Sequence, residues 1–171
     1  MKKSLNLWQF AGFIFTGASG VLLHFLFDWT GESVVVAPFS AVNESIWEHM
    51  KLLFFPMFLF ALVENIYFKE NFWCTKLIGI LAGTVLVPIL YYTINGMFGP
   101  APGRVNISIF FVSAAAAYLL ETKLFKTGIN CRYPKAALAV LCLIALLFVV
   151  LTFAPPHIPL FQDPVMGGYG I

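Results

Sequence analysis

The sequence has few charged residues. Only 11% of its 171 residues are Asp, Glu, Lys or Arg, whereas 60% are hydrophobic. Soluble domains carry about 25% charged and about 45–50% apolar residues. A soluble globule is therefore excluded, because a chain of this length could not hide so much apolar surface from water. The net charge of +2 is also too small to indicate a nucleic-acid-binding protein.

Cysteine is scarce too, and common catalytic signatures are missing. The three cysteines, Cys74, Cys131 and Cys142, show no spacing typical of a disulfide framework or a thiolate metal site. We expect them to be inert packing residues. The sequence contains no HExxH zinc motif, no G-x-S-x-G nucleophile elbow and no phosphate-binding loop. The corresponding enzyme classes therefore have no support from a motif.

Long apolar segments are what the chain has instead. A bilayer core about 30 Å thick needs roughly 20 helical residues per span, and lipid offers no partner for open backbone groups. The sequence therefore predicts an all-α fold, a polytopic membrane helix bundle of five transmembrane helices that form a single transmembrane domain over residues 1–171. The small side chains of residues 113–117 favour close helix contact, so we expect the fourth span to be a central helix. The predicted spans are residues 7–27, 46–68, 77–95, 103–120 and 136–153.

The basic residues predict the orientation. Eight of the ten Lys and Arg residues fall on one side of the predicted spans, and only Lys51 and Arg104 fall on the other. Cytoplasmic loops carry such an excess, so we expect a cytoplasmic N-terminus and an extracytoplasmic C-terminal tail. Lys2 and Lys3 before an apolar run resemble a signal peptide, but the run continues to Phe27, and we expect a retained first span.

Polar residues collect at the predicted outer face. The stretch NESIWEHMK, residues 43–51, gathers two carboxylates, a histidine, an asparagine and a lysine between strongly apolar segments. Two further regions reach the same face, namely the end of the first span and the C-terminal tail. Imidazoles combined with carboxylates suit zinc or another first-row divalent ion better than calcium or magnesium. An open coordination position could activate water for hydrolysis.

These observations define a candidate site. We predict His24, Asp28, His49 and His157 as metal ligands, with Glu44 and Glu48 as catalytic acid–base groups. The other pocket residues expected from their position at this face are Asn43, Asn95, Arg104 and Asp163.

Structural roles compete with the site at three acids. Ser45 and Glu48 match a capping box, which would place Glu44 just before the second helix. Alternatively Asn43 is the cap, and Glu44 and Glu48 stack one turn apart. Glu64 lies inside the second span, where an ionisable residue can relay protons. The favoured interpretation is that Glu64 either reaches the membrane interface or pairs with a nearby lysine.

The tail, residues 154–171, contains Pro155, Pro156, Pro159 and Pro164, which exclude a continuing helix. Its apolar residues are too numerous for a free solvated segment. We expect the tail to fold back over the outer face as a lid or plug.

The stretches FSAVNESIWEHMKLLFFP and PLFQDPVMGGYG, with HFLFDW before them, resemble an uncharacterised family of small bacterial multi-pass membrane proteins. The resemblance covers essentially the whole chain. It implies only a membrane protein of unknown function and supplies no catalytic residue. We expect the location to be the bacterial inner membrane.

Three functions follow as hypotheses. The first is a metal-binding site at the extracytoplasmic face, with hydrolysis as the reaction that it would support. The second is a small solute-binding or transport component, with a small molecule or a lipid as ligand, that acts as a homo-oligomer or with a membrane partner subunit. The third is a structural or partner-binding protein whose polar cluster only caps helix ends.

Overall fold

The fold is an all-α bundle. The computed structural model describes residues 2–69, 71–99 and 101–171, with side chains from Ser4 onwards. All five helices are long and apolar enough to cross a membrane, and the described residues form no strand beyond one isolated bridge between Gln162 and Tyr169. This confirms the predicted helix bundle. The helices are α1 (Lys2–Trp29), α2 (Ile46–Glu64), α3 (Phe72–Phe98), α4 (Gly103–Thr127) and α5 (Pro134–Phe153).

The helix boundaries extend beyond most of the predicted spans, because a helix need not end where the hydrocarbon ends. The exception is α2, which begins at the predicted Ile46 but ends at Glu64, four residues early. Pro56 and Pro88 lie inside α2 and α3. Neighbouring helices can compensate for the lost backbone hydrogen bonds of such residues.

Consecutive helices run antiparallel and give the bundle two ends. Gln9 near the start of α1 bonds to Glu64 at the end of α2, and Lys76 near the start of α3 bonds to Glu121 near the end of α4. We call this the disulfide end, because it also holds the disulfide between Cys74 and Cys131. The opposite end holds His24 of α1 and His49 of α2 and is called the histidine end.

The helix with the largest buried share is α2, whereas the sequence predicts α4 as a central helix; α4 itself packs against α1, α2 and α3. In the most apolar 18-residue window of each helix, 61% of the α2 residues are buried, compared with 39% for α4. The small residues of α4 do allow the close contact expected of them. A Cβ atom on Gly83 of α3 would lie 2.7 Å from Ala117 Cβ and 3.2 Å from the carbonyl oxygen of Ser113. A helix can therefore pack closely against its neighbour without being the most buried helix of the bundle.

Cys74 and Cys131 form a disulfide, which corrects the expectation that these cysteines are inert packing residues. The bond joins the first turn of α3 to the connection between α4 and α5, with the two Cα atoms 5.7 Å apart. The sequence separation of 57 residues gave no indication of this proximity. Cys142 lies exposed on α5.

Two of the lysines whose positions were used to predict the membrane orientation are buried in ion pairs. Lys51 Nζ lies 2.5 Å from Glu48 Oε2, and Lys76 pairs with Glu64 and Glu121. Neither lysine is available to interact with a membrane surface. The excess of basic residues at the disulfide end remains without them, and the cytoplasmic location of that end stays a prediction.

The tail folds over the histidine end, as the sequence predicts. The backbone N–H of Trp47 donates to the carbonyl oxygen of Leu160 at 3.0 Å, and Asn43 donates through Nδ2 to the carbonyl oxygen of Gly170. The buried ring of Phe161 stacks on Trp47 with 4.5 Å between centroids. These contacts hold the tail as a fixed cover against the start of α2.

Candidate functional site

Three of the predicted site residues meet at the histidine end. Glu44 directs Oε1 to His24 Nε2 and Oε2 to His49 Nε2, each at 3.6 Å. One ligand atom from each side chain lies within 4.8 Å of the other two. The two imidazole rings are 5.5 Å apart between centroids. We call these three side chains the His–Glu–His cluster.

The start of α2 decides where Glu44 lies. Ser45 is the N-cap, and its hydroxyl oxygen accepts a hydrogen bond from the backbone N–H of Glu48. Asn43 is not the cap, because its Oδ1 accepts from the Ser45 N–H and its amide group donates to the tail. Glu44 is therefore in the loop before the helix, as the Ser45 alternative requires. From that position it faces α1 rather than stacking on Glu48.

The ring of His49 is oriented by the backbone. Its Nδ1 lies 2.9 Å from the carbonyl oxygen of Ser45, which can only accept, so Nδ1 carries the proton. The Nε2 lone pair is then free and faces Glu44. Histidines that bind metal through one ring nitrogen commonly donate the other ring N–H to a backbone carbonyl in this way. His24 Nδ1 is buried and has no hydrogen-bond partner among the described residues.

The cluster opens onto a pocket between α1 and α4 with a volume of about 230 Å³. Gly20 makes this pocket possible, because a Cβ atom there would overlap the Phe110 ring and lie 3.1 Å from the Leu52 carbonyl oxygen. Apart from the cluster, the only polar side chain in the lining given by the described residues is Asn106, whose Oδ1 is buried and unpaired there. The apolar wall consists of Val21, Phe25, Leu52, Ile107, Phe110 and Phe111.

Glu48, predicted as a second catalytic acid, lies elsewhere. Its side chain is 2% exposed and is held by Lys51, by the backbone N–H of Val42 and by Thr152 of α5. Lys51 also donates to the carbonyl oxygen of Ala37 and to Thr152. Because Glu48 is already fully engaged with α2, α5 and the preceding loop, it does not join His24, Glu44 and His49.

The other two predicted ligands also lie outside the cluster. Asp28 is exposed near the end of α1. His157 is exposed in the tail, where it stacks on Tyr169 with 4.5 Å between ring centroids. The structure therefore brings together two of the four predicted metal ligands and one of the two predicted catalytic acids.

The remaining predicted pocket residues organise loops. Asn95 donates to the carbonyl oxygen of Tyr91 and accepts from the Ala101 N–H, which closes the connection between α3 and α4. Asp163 accepts from the backbone N–H groups of Val165 and Met166 in the tail and from that of Glu44 at 3.4 Å. Arg104 is exposed. Asp163 thus supports the cluster by fixing the Glu44 backbone.

Sequence reasoning missed Asn106 and Gly20. Asn106 follows Arg104 by two residues at the start of α4. Its position at the predicted outer face, beside Arg104, could have indicated that it belongs to the pocket. No local pattern marks Gly20. The lack of room for a side chain at this position depends on contacts with helices that are distant in sequence.

The profile of a family of unknown function, DUF6512, matches residues 1–171. The chain belongs to DUF6512. This confirms the resemblance to an uncharacterised family, and it assigns no activity or residue to DUF6512 proteins. No curated protein and no solved structure gives a significant match. The function has to be argued from the site itself.

Proposed function

We propose that the His–Glu–His cluster binds one divalent first-row transition-metal ion, with zinc as the best fit. The observation that carries the proposal is the convergence of His24, Glu44 and His49 from two helices and a loop. Two imidazoles and a carboxylate form a ligand set typical of catalytic zinc sites. Calcium and magnesium prefer ligand sets made of oxygen.

The distances support this ligand set. Zinc bonds of about 2.0–2.1 Å in tetrahedral geometry put neighbouring ligand atoms roughly 3.3 Å apart. Each imidazole Nε2 lies 3.6 Å from one of the two carboxylate oxygens, and one ligand atom from each of the three side chains lies within 4.8 Å of the other two. Closing the cluster around an ion requires the ligand atoms to move closer together, and Glu44 is free to move because its side chain is 49% exposed.

Three protein ligands leave a fourth position for water or substrate, and the pocket lies beside it. A metal ion lowers the pKa of a bound water and so supplies hydroxide near neutral pH. Hydrolysis is therefore the reaction class that we propose. Asn106, with its unpaired Oδ1 in the same pocket, is placed to hydrogen-bond a polar group of the substrate.

The pocket wall indicates the class of substrate. Its lining is apolar except for the cluster and Asn106 among the described residues, and it lies between two helices of a bundle that is apolar on its outside. An amphiphilic molecule fits this environment, with its polar group at the cluster and its chain against the aromatic wall. We propose a lipid or another membrane-dissolved amphiphile as the substrate.

Metal analysis of purified protein tests the proposal. The full chain, loaded with zinc and desalted in detergent, is expected to retain one zinc ion per chain. His24→Ala, Glu44→Gln and His49→Ala are each expected to lose it, while His157→Ala, which alters an exposed histidine outside the cluster, retains it. Absence of stoichiometric metal in the wild-type protein would exclude the proposal.

A purely structural role for the cluster predicts a different outcome. In that case Glu44 only links α1 to α2 by charge. The three cluster variants would then lower thermal stability to a similar degree with and without added zinc. Zinc-dependent stabilisation of the wild-type chain that His49→Ala abolishes distinguishes metal binding from such a link.

A further inference from the structure

A second polar cluster lies at the disulfide end, inside the helix bundle. Lys76 of α3 pairs with Glu64 of α2, and its Nζ lies 2.6 Å from Glu121 Oε2 of α4. Gln9 of α1 donates to Glu64 Oε1 at 2.9 Å. Glu64, Lys76 and Glu121 are each at most 1% exposed. We call these three residues the buried triad.

The buried triad contains two acids and one base. With all three groups ionised it would carry one uncompensated negative charge. A buried charge without a counterion costs several kcal/mol even after relaxation, and groups in this position change protonation instead. At the histidine end, by contrast, Glu48 and Lys51 form a neutral one-to-one pair.

The surroundings of Lys76 keep the positive charge on the lysine. Its Nζ lies 5.5–5.9 Å from the ring centroids of Tyr118, Phe72 and Phe125, all within the range in which aromatic rings stabilise a cation. With two carboxyl groups and three rings around one ammonium group, loss of the lysine proton is unfavourable. The missing proton therefore belongs to a carboxyl group.

Glu121 is the better of the two carriers. Its Oε1 is buried and has no hydrogen-bond partner in the described part of the chain, whereas Glu64 Oε1 accepts from Gln9. A neutral acid tolerates an unpaired oxygen in apolar surroundings far better than a carboxylate does. Gly79 of α3 lies directly against the Glu121 side chain and leaves no room for another residue there.

Among the described side chains, Tyr118 is a further titratable group beside the triad, with its ring centroid 5.5 Å from Lys76 Nζ. Tyr118 of α4 bonds to the Thr16 hydroxyl of α1 at 2.9 Å. Lys135, at the start of α5, is exposed and makes no ion pair with the triad among the described residues. Neither group supplies a second positive charge.

We propose that Glu64, Lys76 and Glu121 form a proton-binding site, in which Lys76 stays charged and the two carboxyl groups hold one exchangeable proton, mainly on Glu121. Release of that proton leaves a net negative charge where α2, α3 and α4 meet. Deprotonation is therefore coupled to looser packing of these helices or to uptake of a cation. The site is independent of the His–Glu–His cluster, which lies at the opposite end.

Infrared spectroscopy of the full chain in lipid bilayers tests the proposal. With ¹³C-labelled glutamate, the wild-type protein is expected to show a protonated glutamic acid carbonyl band at neutral pH. Glu121→Gln and Glu64→Gln are each expected to lose it, because either change leaves a neutral pair with Lys76. The matched control, Glu32→Gln, alters an exposed acid and leaves the band unchanged.

A third variant keeps the test decisive if a glutamine variant fails to fold. Lys76→Met removes the cation, so both acids are expected to be protonated and the band to grow roughly twofold, in proportion to the two neutral acids that an apolar site then holds. Absence of the band in the wild-type protein, its survival in either glutamine variant, or no change in Lys76→Met would overturn the proposal.

Discussion

The Nδ1 atom of His49 lies 2.9 Å from the backbone carbonyl oxygen of Ser45, four residues earlier in the chain. This contact fixes the ring and its tautomer, and it leaves Nε2 to face Glu44. Ser45 also caps α2 and thereby keeps Glu44 outside the helix. A single helix start thus positions both the imidazole and the carboxylate on which the proposed metal site depends.

Acidification is expected to release the proposed metal ion. Protons compete with the metal for both imidazoles, so affinity falls as pH decreases. We expect the affinity for zinc to be lower at about pH 5.5 than at about pH 7.5, because two imidazole ligands have to be deprotonated to bind the ion. Zinc titration calorimetry at both pH values measures the difference. Affinity independent of pH would argue against histidine ligands.

Glu48→Gln is expected to destabilise the protein without removing the metal site. The substitution leaves Lys51 buried without its carboxylate, which costs about 3–5 kcal/mol for such pairs. Thermal unfolding in detergent measures the loss, and Glu48→Gln/Lys51→Met is expected to recover much of it. Zinc binding by the folded variant stays at the wild-type level. Loss of zinc with unchanged stability would instead support a direct role for Glu48 in the site.

Phe161→Ala is expected to detach the tail from the start of α2. The ring is 5% exposed and stacks on Trp47, so its truncation removes up to about 3–5 kcal/mol of packing. Faster hydrogen exchange in residues 154–171 would report the detachment. Val165→Ala is the matched control, since Val165 is 73% exposed in the same tail. Equal exchange in both variants would show that the Phe161 ring does not hold the tail.

The disulfide gives a test of orientation. The basic residues predict that the disulfide end faces the cytoplasm, where disulfides are rare. A cytoplasmic location therefore predicts that Cys74 and Cys131 are reduced in cells, whereas the disulfide of the structure predicts that they are bonded there. With the cytoplasmic location, rapid alkylation of intact cells, followed by mass spectrometry, is expected to label both thiols. A bond already present in the trapped protein would contradict the cytoplasmic N-terminus.

The fold was predictable because lipid imposes simple rules. The lengths of the apolar segments predicted the five helices, and α2 begins at the predicted Ile46, although the sequence left both Ser45 and Asn43 open as its cap. The small residues of α4 could not predict that α2 is the more buried helix. They allow close contact with one neighbour without requiring burial on all sides. The position of α2 depends on its buried ion pairs and on the helices around it.

The site was predictable only in part, because long-range pairing decides which polar residues are free. The sequence predicted both Glu44 and Glu48 as catalytic acids, but Lys51 and Thr152 hold Glu48 in the core. Glu64 does pair with a lysine, which is one of the two alternatives favoured from the sequence. Glu121 escaped notice because it fell just beyond the predicted fourth span, 45 residues from Lys76. Such contacts depend on how the helices pack against one another, which no local sequence pattern indicates.

X-ray absorption spectroscopy of the zinc-loaded full chain tests the central claim most directly. The proposed site predicts a zinc environment of nitrogen and oxygen neighbours at about 2.0–2.2 Å, with multiple scattering from two imidazoles and no sulfur. His49→Ala is expected to reduce the imidazole signal or abolish binding. A sulfur neighbour, or a spectrum that is the same in the wild-type protein and in His49→Ala, would contradict metal binding by His24, Glu44 and His49.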